Sequence, residues 1–102
     1  MNSESKRVYD MHTGYLLACV SEEAGELVQA VGKCQRFGLD SVNPNNGQYN
    51  LASVIDEYND LMVVMKLLGS ELGIEDNLNR PQDYLDDKCH RVLKYMKEYA
   101  DK

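Results

Sequence analysis

Apolar residues recur at intervals of three and four positions along three long segments of this chain, the spacing of one face of an α-helix. The first segment runs from roughly Lys6 to Phe37, with a break at Gly14 left open. Gly38 follows it, and glycine is the favoured residue just past a helix end. The next twelve residues, LDSVNPNNGQYN, have the Asn, Pro and Gly content of a loop. Nothing competes as a strand, so the pattern predicts an all-α fold.

Two further helices are predicted after this loop. The second starts near Asn50 or Ser53, either of which could cap it, and stops at Gly73. The third opens at Pro81, because proline suits the first helical position. Its apolar stripe is the most regular in the chain, with alternating steps of four and three: Leu85, Cys89, Val92, Met96 and Tyr99. We therefore expect a helical bundle of three to four helices forming one domain, residues 1–102.

A bundle this short is expected to need a partner. The run Leu61–Met65 is apolar on every side of its helix, which indicates burial all round. Ala18, Gly25 and Gly32 lie seven residues apart and would let another helix approach closely, although simple tolerance of small residues explains them equally well. Because the run Leu61–Met65 calls for burial on every side, we expect oligomerisation to complete the bundle.

Charge and hydropathy exclude some classes of function. The formal net charge is −6, which argues against a sequence-independent grip on nucleic acid, since that requires a basic surface. No stretch approaches the roughly 20 apolar residues that cross a bilayer, and the N-terminus lacks the apolar core of a signal peptide. We expect no nucleic-acid or membrane partner and a cytoplasmic location, the host cytoplasm if the chain is viral.

Two acidic triads share one helical geometry. Glu23 and Glu26 project within about 100° of Glu22 on the first helix. The second helix repeats the same spacing with Asp56, Glu57 and Asp60. A capped, acidic helix start would explain the first triad alone, and a solvated face would explain the second. However, an apolar stripe continues upstream of the first triad, so that triad lies inside the helix rather than at its start. The second triad runs directly into the apolar run Leu61–Met65.

If the two helices pack antiparallel, the two acidic patches can meet and would need a cation or shared protons. An all-oxygen set without histidine selects Mg²⁺ or Mn²⁺ over zinc or copper. A di-iron bundle requires Glu-x-x-His on two helices, whereas this chain offers only Asp87-x-x-His90. The pattern therefore favours a carboxylate site for a hard divalent cation.

Basic residues could supply the complementary half of such a site. A cation held by carboxylates keeps open positions that substrate phosphates can fill, and lysine and arginine bind phosphate oxygens. A solvated basic face is an equally good explanation of any one of these residues. The candidates for phosphate binding are Lys33 and Arg36 on the first helix and Lys88, Arg91, Lys94 and Tyr95 on the third.

The motif Glu22-Glu23-x-x-Glu26 followed after a loop by Glu57-x-x-Asp60 resembles the MazG-like, all-α nucleoside triphosphate pyrophosphohydrolases, particularly the short single-domain forms found in phages. The similarity continues through Arg36-Phe37-Gly38 and the basic third helix, spanning roughly residues 14–99. It implies an enzyme, a hydrolase acting on phosphoric anhydrides. Its reaction would be Mg²⁺-dependent hydrolysis of a (deoxy)nucleoside triphosphate to the monophosphate and pyrophosphate, with Mn²⁺ also supporting activity.

Residue roles follow from the same resemblance. Glu23, Glu26, Glu57 and Asp60 would be the metal ligands. Glu22 would hold a metal or orient the attacking water, a choice that stays open, and Glu23 would act with it in catalysis. Asp56 lies outside the family's core motif. The resemblance also implies a homo-oligomer, dimer or tetramer, and a role in nucleotide-pool housekeeping or adjustment.

A different class of function is compatible with the same composition. An oligomeric, non-enzymatic helical module could use its acidic patches to bind a structural cation or a partner. Within the enzyme class, a diphosphate- or dUTP-restricted variant is the nearest alternative. The residues that could contact a nucleobase are equally explained as core or loop: Tyr15, Phe37, Tyr49, Tyr58 and Asn59.

Overall fold

The computed structural model describes residues 9–101, and its regular structure is helical. Four helices follow in chain order: α1 (Met11–Phe37), α2 (Asn50–Leu72), α3 (Glu75–Leu78) and α4 (Gln82–Ala100). Within residues 9–101, β-type pairing amounts to one isolated antiparallel bridge between Val42 and Tyr49. The predicted all-α class is confirmed.

Helix α1 is continuous from Met11. The predicted start at Lys6 lies outside the described residues, but Tyr9 and Asp10 are not helical, so an unbroken helix from Lys6 is wrong. Asp10 is the N-cap, because its carboxylate accepts a hydrogen bond from the Thr13 backbone N–H at 2.9 Å. The Gly14 N–H donates to the Asp10 carbonyl at 3.0 Å, so the helix does not break there.

The other predicted ends hold with small changes. Gly38 and Gly73 terminate α1 and α2 with φ of 97° and 67°, values that side chains disfavour. Helix α2 begins at Asn50 as predicted, but neither candidate side chain caps it: Tyr49 is the N-cap, without a side-chain hydrogen bond. The Asn50 amide instead donates to the Gly38 carbonyl at 3.0 Å, which ties the two ends of the loop together. Pro81 precedes α4 as its N-cap rather than opening it.

Helices α1 and α2 pack as an antiparallel hairpin. His12, near the start of α1, lies 4.0 Å from Glu71 at the end of α2, while Gly38 meets Asn50 at the opposite end. Ala30 and Leu68 are the buried apolar residues between them. The apolar run Leu61–Met65 is not buried all round, because Met62 and Val63 are 38% and 58% exposed. The hairpin is the packed part of the described chain, and several of its apolar side chains remain exposed to solvent.

Helix α4 does not join the hairpin, so a three-helix bundle does not form within the described part of one chain. No Cα atom of α4 comes within 8 Å of one in the other three helices. The connection explains this, because Asn79 and Pro81 are both extended, with ψ of 94° and 156°. A residue before proline also avoids helical geometry. The chain therefore leaves α3 in a direction that carries α4 away from α1 and α2.

Among residues 9–101, no helix combines the length and the apolar character that crossing a bilayer requires.

Alanine substitutions at one glycine of α1 and one glycine of α2 should affect stability differently. A Cβ added at Gly32 would meet no atom within 4 Å. Gly32→Ala should therefore raise the free energy of unfolding by about 0.5–1 kcal/mol through helix propensity. A Cβ at Gly69 would lie 2.5 Å from Leu78 Cδ1. Gly69→Ala should therefore not raise the free energy of unfolding, because this clash offsets the gain in helix propensity. Urea unfolding of both variants measures the difference. Equal effects of the two substitutions would contradict the packing of α3 against α2.

Candidate metal centre

Three carboxylates from the two packed helices converge at the middle of the hairpin. Oxygen atoms of Glu23, Glu57 and Asp60 all lie within 4.8 Å of one another. Glu57 and Asp60 are three residues apart and share one face of α2, and the antiparallel packing puts Glu23 of α1 opposite them. The meeting of the two acidic patches, predicted from sequence on the condition of antiparallel packing, is confirmed.

Glu26 belongs to the same cluster. Its negative charge and proximity raise the pKa of both Glu23 and Glu57, which places its side chain next to theirs. Glu23 and Glu26 are three residues apart on α1, as Glu57 and Asp60 are on α2. We call these four residues, Glu23, Glu26, Glu57 and Asp60, the acid cluster.

Burial makes the acid cluster unusual. Oε2 of Glu23 and Oε2 of Glu57 are both inaccessible to solvent and have no hydrogen-bond partner. Buried carboxylate oxygens are normally hydrogen-bonded, and leaving one without a partner is costly. Two such oxygens in one cluster indicate that a proton or a cation is required there.

The electrostatics of the cluster agree with this. The pKa of Glu23 is raised above its usual 4.5, first because burial disfavours the charged form and then because Glu26 and Asp60 add negative charge. The pKa of Glu57 is raised first by burial, then by the adjacent side chain of Glu26 and by the charges of Asp60 and Glu23. Both groups hold a proton more tightly than an exposed glutamate does when no cation is present.

The donor set fits a hard divalent cation. Every candidate ligand atom in the acid cluster is a carboxylate oxygen, the type that Mg²⁺ and Mn²⁺ prefer. The two unpartnered oxygens, on Glu23 and Glu57, come from different helices and are available for coordination.

A polar cavity of about 340 Å³ opens beside the acid cluster. Glu26 and Glu57 line one side of it, and Lys33 lies one to two turns further along α1. The remaining wall is polar, contributed by α1, the α1–α2 loop and the start of α2: Gln29, Ala30, Asn43, Asn46 and Ser53. The cavity therefore joins carboxylates on one side with an ammonium group and amides on the other.

The α1–α2 loop is held in a defined shape by its own hydrogen bonds. The Asn43 N–H donates to the Gln48 carbonyl at 2.8 Å, next to the Val42–Tyr49 bridge. Side-chain oxygens of Asn43 and Asn46 accept from backbone N–H groups two residues on, which closes Asx turns. Sequence reasoning treated this stretch only as a loop. Its run of asparagines was the available signal that it could also line a site.

A second cavity of about 490 Å³ lies next to the first. Lys33 and Asn43 line both cavities. The second is more apolar, and its other lining residues are Phe37, Ser41, Val42, Pro44, Asn45 and Asn50. Because they share Lys33 and Asn43, the two cavities are neighbours, and we call them together the trough.

The predicted phosphate-binding residues divide into two groups. Lys33 lines both cavities, as a phosphate ligand would. Arg36 lines neither, and its guanidinium carbon lies 5.4 Å from the ring centre of Phe37. Within the described part of one chain the structure does not bring the α4 residues to the acid cluster, because α4 packs against none of the other helices: Lys88, Arg91, Lys94 and Tyr95.

The two remaining acids of the triads lie outside the cluster. Glu22 is exposed, and its negative charge contributes to the raised pKa of Glu23. Asp56 is exposed and accepts a hydrogen bond from Gln48 Nε2 at 3.3 Å, so it braces the loop.

Of the five residues considered for contact with a base, only Phe37 lines the trough. Tyr15 lies in a separate depression beside Met11 and Glu71. Asn59 donates its amide to the Ile55 carbonyl at 2.8 Å, and Tyr49 and Tyr58 are exposed.

A second group of possible ligands, which sequence reasoning missed, lies at the open end of the hairpin. Oxygen and nitrogen atoms of Asp10, His12 and Glu71 lie within 4.8 Å of one another. All three residues are exposed, and the Asp10 carboxylate already caps α1. This group therefore lacks the burial that distinguishes the acid cluster.

Comparison with protein-family models, with curated proteins and with solved structures found no match to this chain.

The raised pKa values predict how the stability of the metal-free protein depends on pH. Because folded Glu23 and Glu57 bind protons more tightly than the unfolded chain does, their contribution to stability falls as pH rises from about 4.5 through the folded pKa values. Glu57→Gln removes one of these ionisations. In EDTA, it should therefore be more stable than the wild type at neutral pH and should lose that advantage near pH 4.

Thermal unfolding across this pH range measures the effect. Glu98→Gln, at an exposed position of α4, is the matched control and should follow the wild-type profile. A Glu57→Gln protein that is less stable than wild type at neutral pH in EDTA would contradict repulsion within the acid cluster.

Proposed function

We propose that this chain is a Mg²⁺-dependent nucleoside triphosphate pyrophosphohydrolase, which hydrolyses a (deoxy)nucleoside triphosphate to the monophosphate and pyrophosphate. The observation that carries the proposal is the pair of buried, unpartnered carboxylate oxygens on Glu23 and Glu57, beside Asp60, with Glu57 also lining a polar cavity that contains Lys33. The motif resemblance to MazG-like enzymes supports the same reaction.

Glu23, Glu26, Glu57 and Asp60 would hold the cation. Mg²⁺, or Mn²⁺ in its place, neutralises phosphate charge and makes water more acidic when bound in such a site. The raised pKa values of Glu23 and Glu57 in the metal-free protein mean that cation binding displaces protons from them, so affinity should increase with pH.

The chain's own groups would then position the reaction. The Lys33 ammonium, which faces both parts of the trough, would bind the phosphate oxygens. We assign to Glu22 the orientation of the attacking water, since it is exposed next to Glu23 and lies outside the acid cluster. Water attacks the α-phosphorus, the bond from that phosphorus to the bridging oxygen breaks, and pyrophosphate leaves with that oxygen. The proton lost by the water passes to a carboxylate and then to solvent.

The second, more apolar part of the trough offers the volume for a nucleoside. Phe37 supplies an aromatic ring there, and the side chains of Asn43 and Asn45 supply both hydrogen-bond donors and acceptors. A panel of the common nucleoside triphosphates and diphosphates, scored for pyrophosphate or phosphate release, identifies the preferred base, sugar and phosphate number. The biological role would be housekeeping or adjustment of a nucleotide pool in the cytoplasm, that of the host for a phage protein.

Removing one ligand should abolish the reaction. Asp60→Asn replaces a charged oxygen of the acid cluster by an amide, so Mg²⁺-dependent pyrophosphate release should fall at least about 100-fold, the scale of losing one group that stabilises charge at the reacting centre. Asp56→Asn is the same change four residues earlier, outside the cluster, and should keep the wild-type rate within about threefold. Circular dichroism checks that both variants stay helical.

Full activity of Asp60→Asn, or equal losses in the two variants, would contradict the assignment. Absence of release from every nucleotide by the wild type with Mg²⁺ would instead favour a non-enzymatic helical module. In that case the acid cluster holds a structural cation, and Mg²⁺ should still raise the unfolding temperature of the wild type but not that of Asp60→Asn.

A further inference from the structure

The polar cavity beside the acid cluster contains an ammonium group that pairs with no carboxylate. Lys33 lines this cavity of about 340 Å³, and so do Glu26 and Glu57. Within the described part of the chain, the half-buried Lys33 forms no ion pair with either glutamate. An ammonium that served only to neutralise those carboxylates would lie within about 4 Å of one of them. Lys33 is therefore free to contact an anion that enters the cavity.

Two asparagines of the α1–α2 loop, Asn43 and Asn46, line the same cavity. Oδ1 of Asn43 accepts the Asn45 backbone N–H at 2.9 Å, and Oδ1 of Asn46 accepts the Gln48 backbone N–H at 2.9 Å. The amide nitrogens of both asparagines donate to no acceptor among residues 9–101. A carboxamide whose oxygen is engaged in this way offers a ligand its two N–H donors.

Gln48 fixes both asparagines relative to α2. Its backbone carbonyl accepts the Asn43 N–H at 2.8 Å, and its backbone N–H is the one that Asn46 accepts. Its side chain reaches α2, where Nε2 donates to Asp56 at 3.3 Å and Oε1 accepts from Ser53 Oγ at 3.3 Å. The two loop amides are therefore tied to the helix that carries half of the acid cluster. Groups that are already ordered cost a ligand less free energy on binding.

The chemistry of these groups matches an anion better than a nucleobase. Phosphate oxygens carry negative charge and accept hydrogen bonds, and asparagine amides and lysine ammonium groups are common donors to them. The edge of a base presents donors beside acceptors, so it needs acceptors in return. Asn45 can supply both, because it lines only the more apolar cavity and its side-chain amide forms no hydrogen bond in the described part of the chain.

We infer that Lys33, Asn43 and Asn46 form a subsite for the phosphate chain of the substrate, in which the two loop amides donate hydrogen bonds to phosphate oxygens beside the Lys33 ammonium. The identity of the substrate rests on the proposed function, but binding of a phosphate anion at this place does not require turnover. Within the described part of one chain, no cation of α4 reaches the polar cavity. The neutral amides of the loop supply the donors that those cations would otherwise provide.

Binding of inorganic pyrophosphate, which carries phosphate groups without a nucleoside, tests the subsite without turnover. Calorimetric titration in the presence of Mg²⁺ should show that the wild type binds it. Asn43→Asp and Asn46→Asp should each weaken this binding at least about tenfold, because each keeps the oxygen that closes the turn and replaces the N–H donors by a charged oxygen. Gln35→Glu makes the same change at an exposed position of α1 outside both cavities, and its affinity should stay within about twofold of wild type.

A second pair of variants covers the case in which an aspartate variant loses its helical circular dichroism. Asn43→Ser or Asn46→Ser then replaces it, since a serine hydroxyl can close the same kind of turn. Serine is shorter and has one donor in place of two, so pyrophosphate affinity should fall at least about threefold. A wild type that binds no pyrophosphate up to about 1 mM, or folded variants that bind it like the wild type, would overturn the subsite.

Steady-state kinetics separate a phosphate contact from a base contact. Asn46 lines the polar cavity and not the more apolar one. Asn46→Asp should therefore raise KM by a similar factor for every nucleoside triphosphate that the wild type hydrolyses. A changed order of preference among the bases, with pyrophosphate affinity unchanged, would assign Asn46 to the base and contradict the inference.

The subsite and the proposed function fail in different ways. Pyrophosphate binding that the asparagine variants weaken, without hydrolysis of any nucleotide by the wild type, leaves the subsite standing and removes the proposed function. Hydrolysis by the wild type, with KM and pyrophosphate affinity unchanged in those variants, leaves the function standing and removes the subsite.

Discussion

The antiparallel packing of α1 on α2 is the contact on which the rest of this structure depends. The two helices pack against each other, with Ala30 and Leu68 as their buried apolar residues, and their register sets Glu23 opposite Glu57 and Asp60. The same contact that stabilises the hairpin therefore concentrates negative charge and deprives two carboxylate oxygens of water. A proton or a cation would stabilise two carboxylate oxygens that have neither water nor a hydrogen-bond partner, so burial and the proposed chemistry coincide at one place.

The hairpin also creates a trough with two chemical ends. Acidic oxygens lie at one end, the loop with its asparagines and Phe37 lies at the other, and Lys33 lines the space between them. This polarity suits a molecule with a charged phosphate chain and a less polar remainder. The loop's internal hydrogen bonds hold it in a defined shape at that end of the trough.

The acidic and the basic residues that the sequence singles out lie in different parts of the folded chain. The acids are assembled by contacts within one chain, whereas the basic flank of α4 is left away from them. Helix α4 is regular in sequence yet exposed in the described part of the chain, and α2 carries an exposed apolar stripe as well. The apolar run Leu61–Met65 was expected to be fully buried, but Met62 and Val63 remain exposed.

The sequence alone determined the three long helices, the glycine ends of two of them and the two acidic triads, because these depend on spacing along the chain and on local backbone preferences; that the triads meet was decided by the antiparallel packing. It did not determine the cap of α1 by Asp10, since an acidic residue near a helix start is ambiguous until the backbone is known. Only the tertiary structure separated Asp56, which braces the loop, from Asp60, which enters the cluster, because helical spacing gives the side of a helix and not what lies opposite it. It also decided that Lys33 lines the trough and that α4 leaves the hairpin, since the direction of a helix follows from a few extended residues at positions 79–81 that the apolar pattern does not encode.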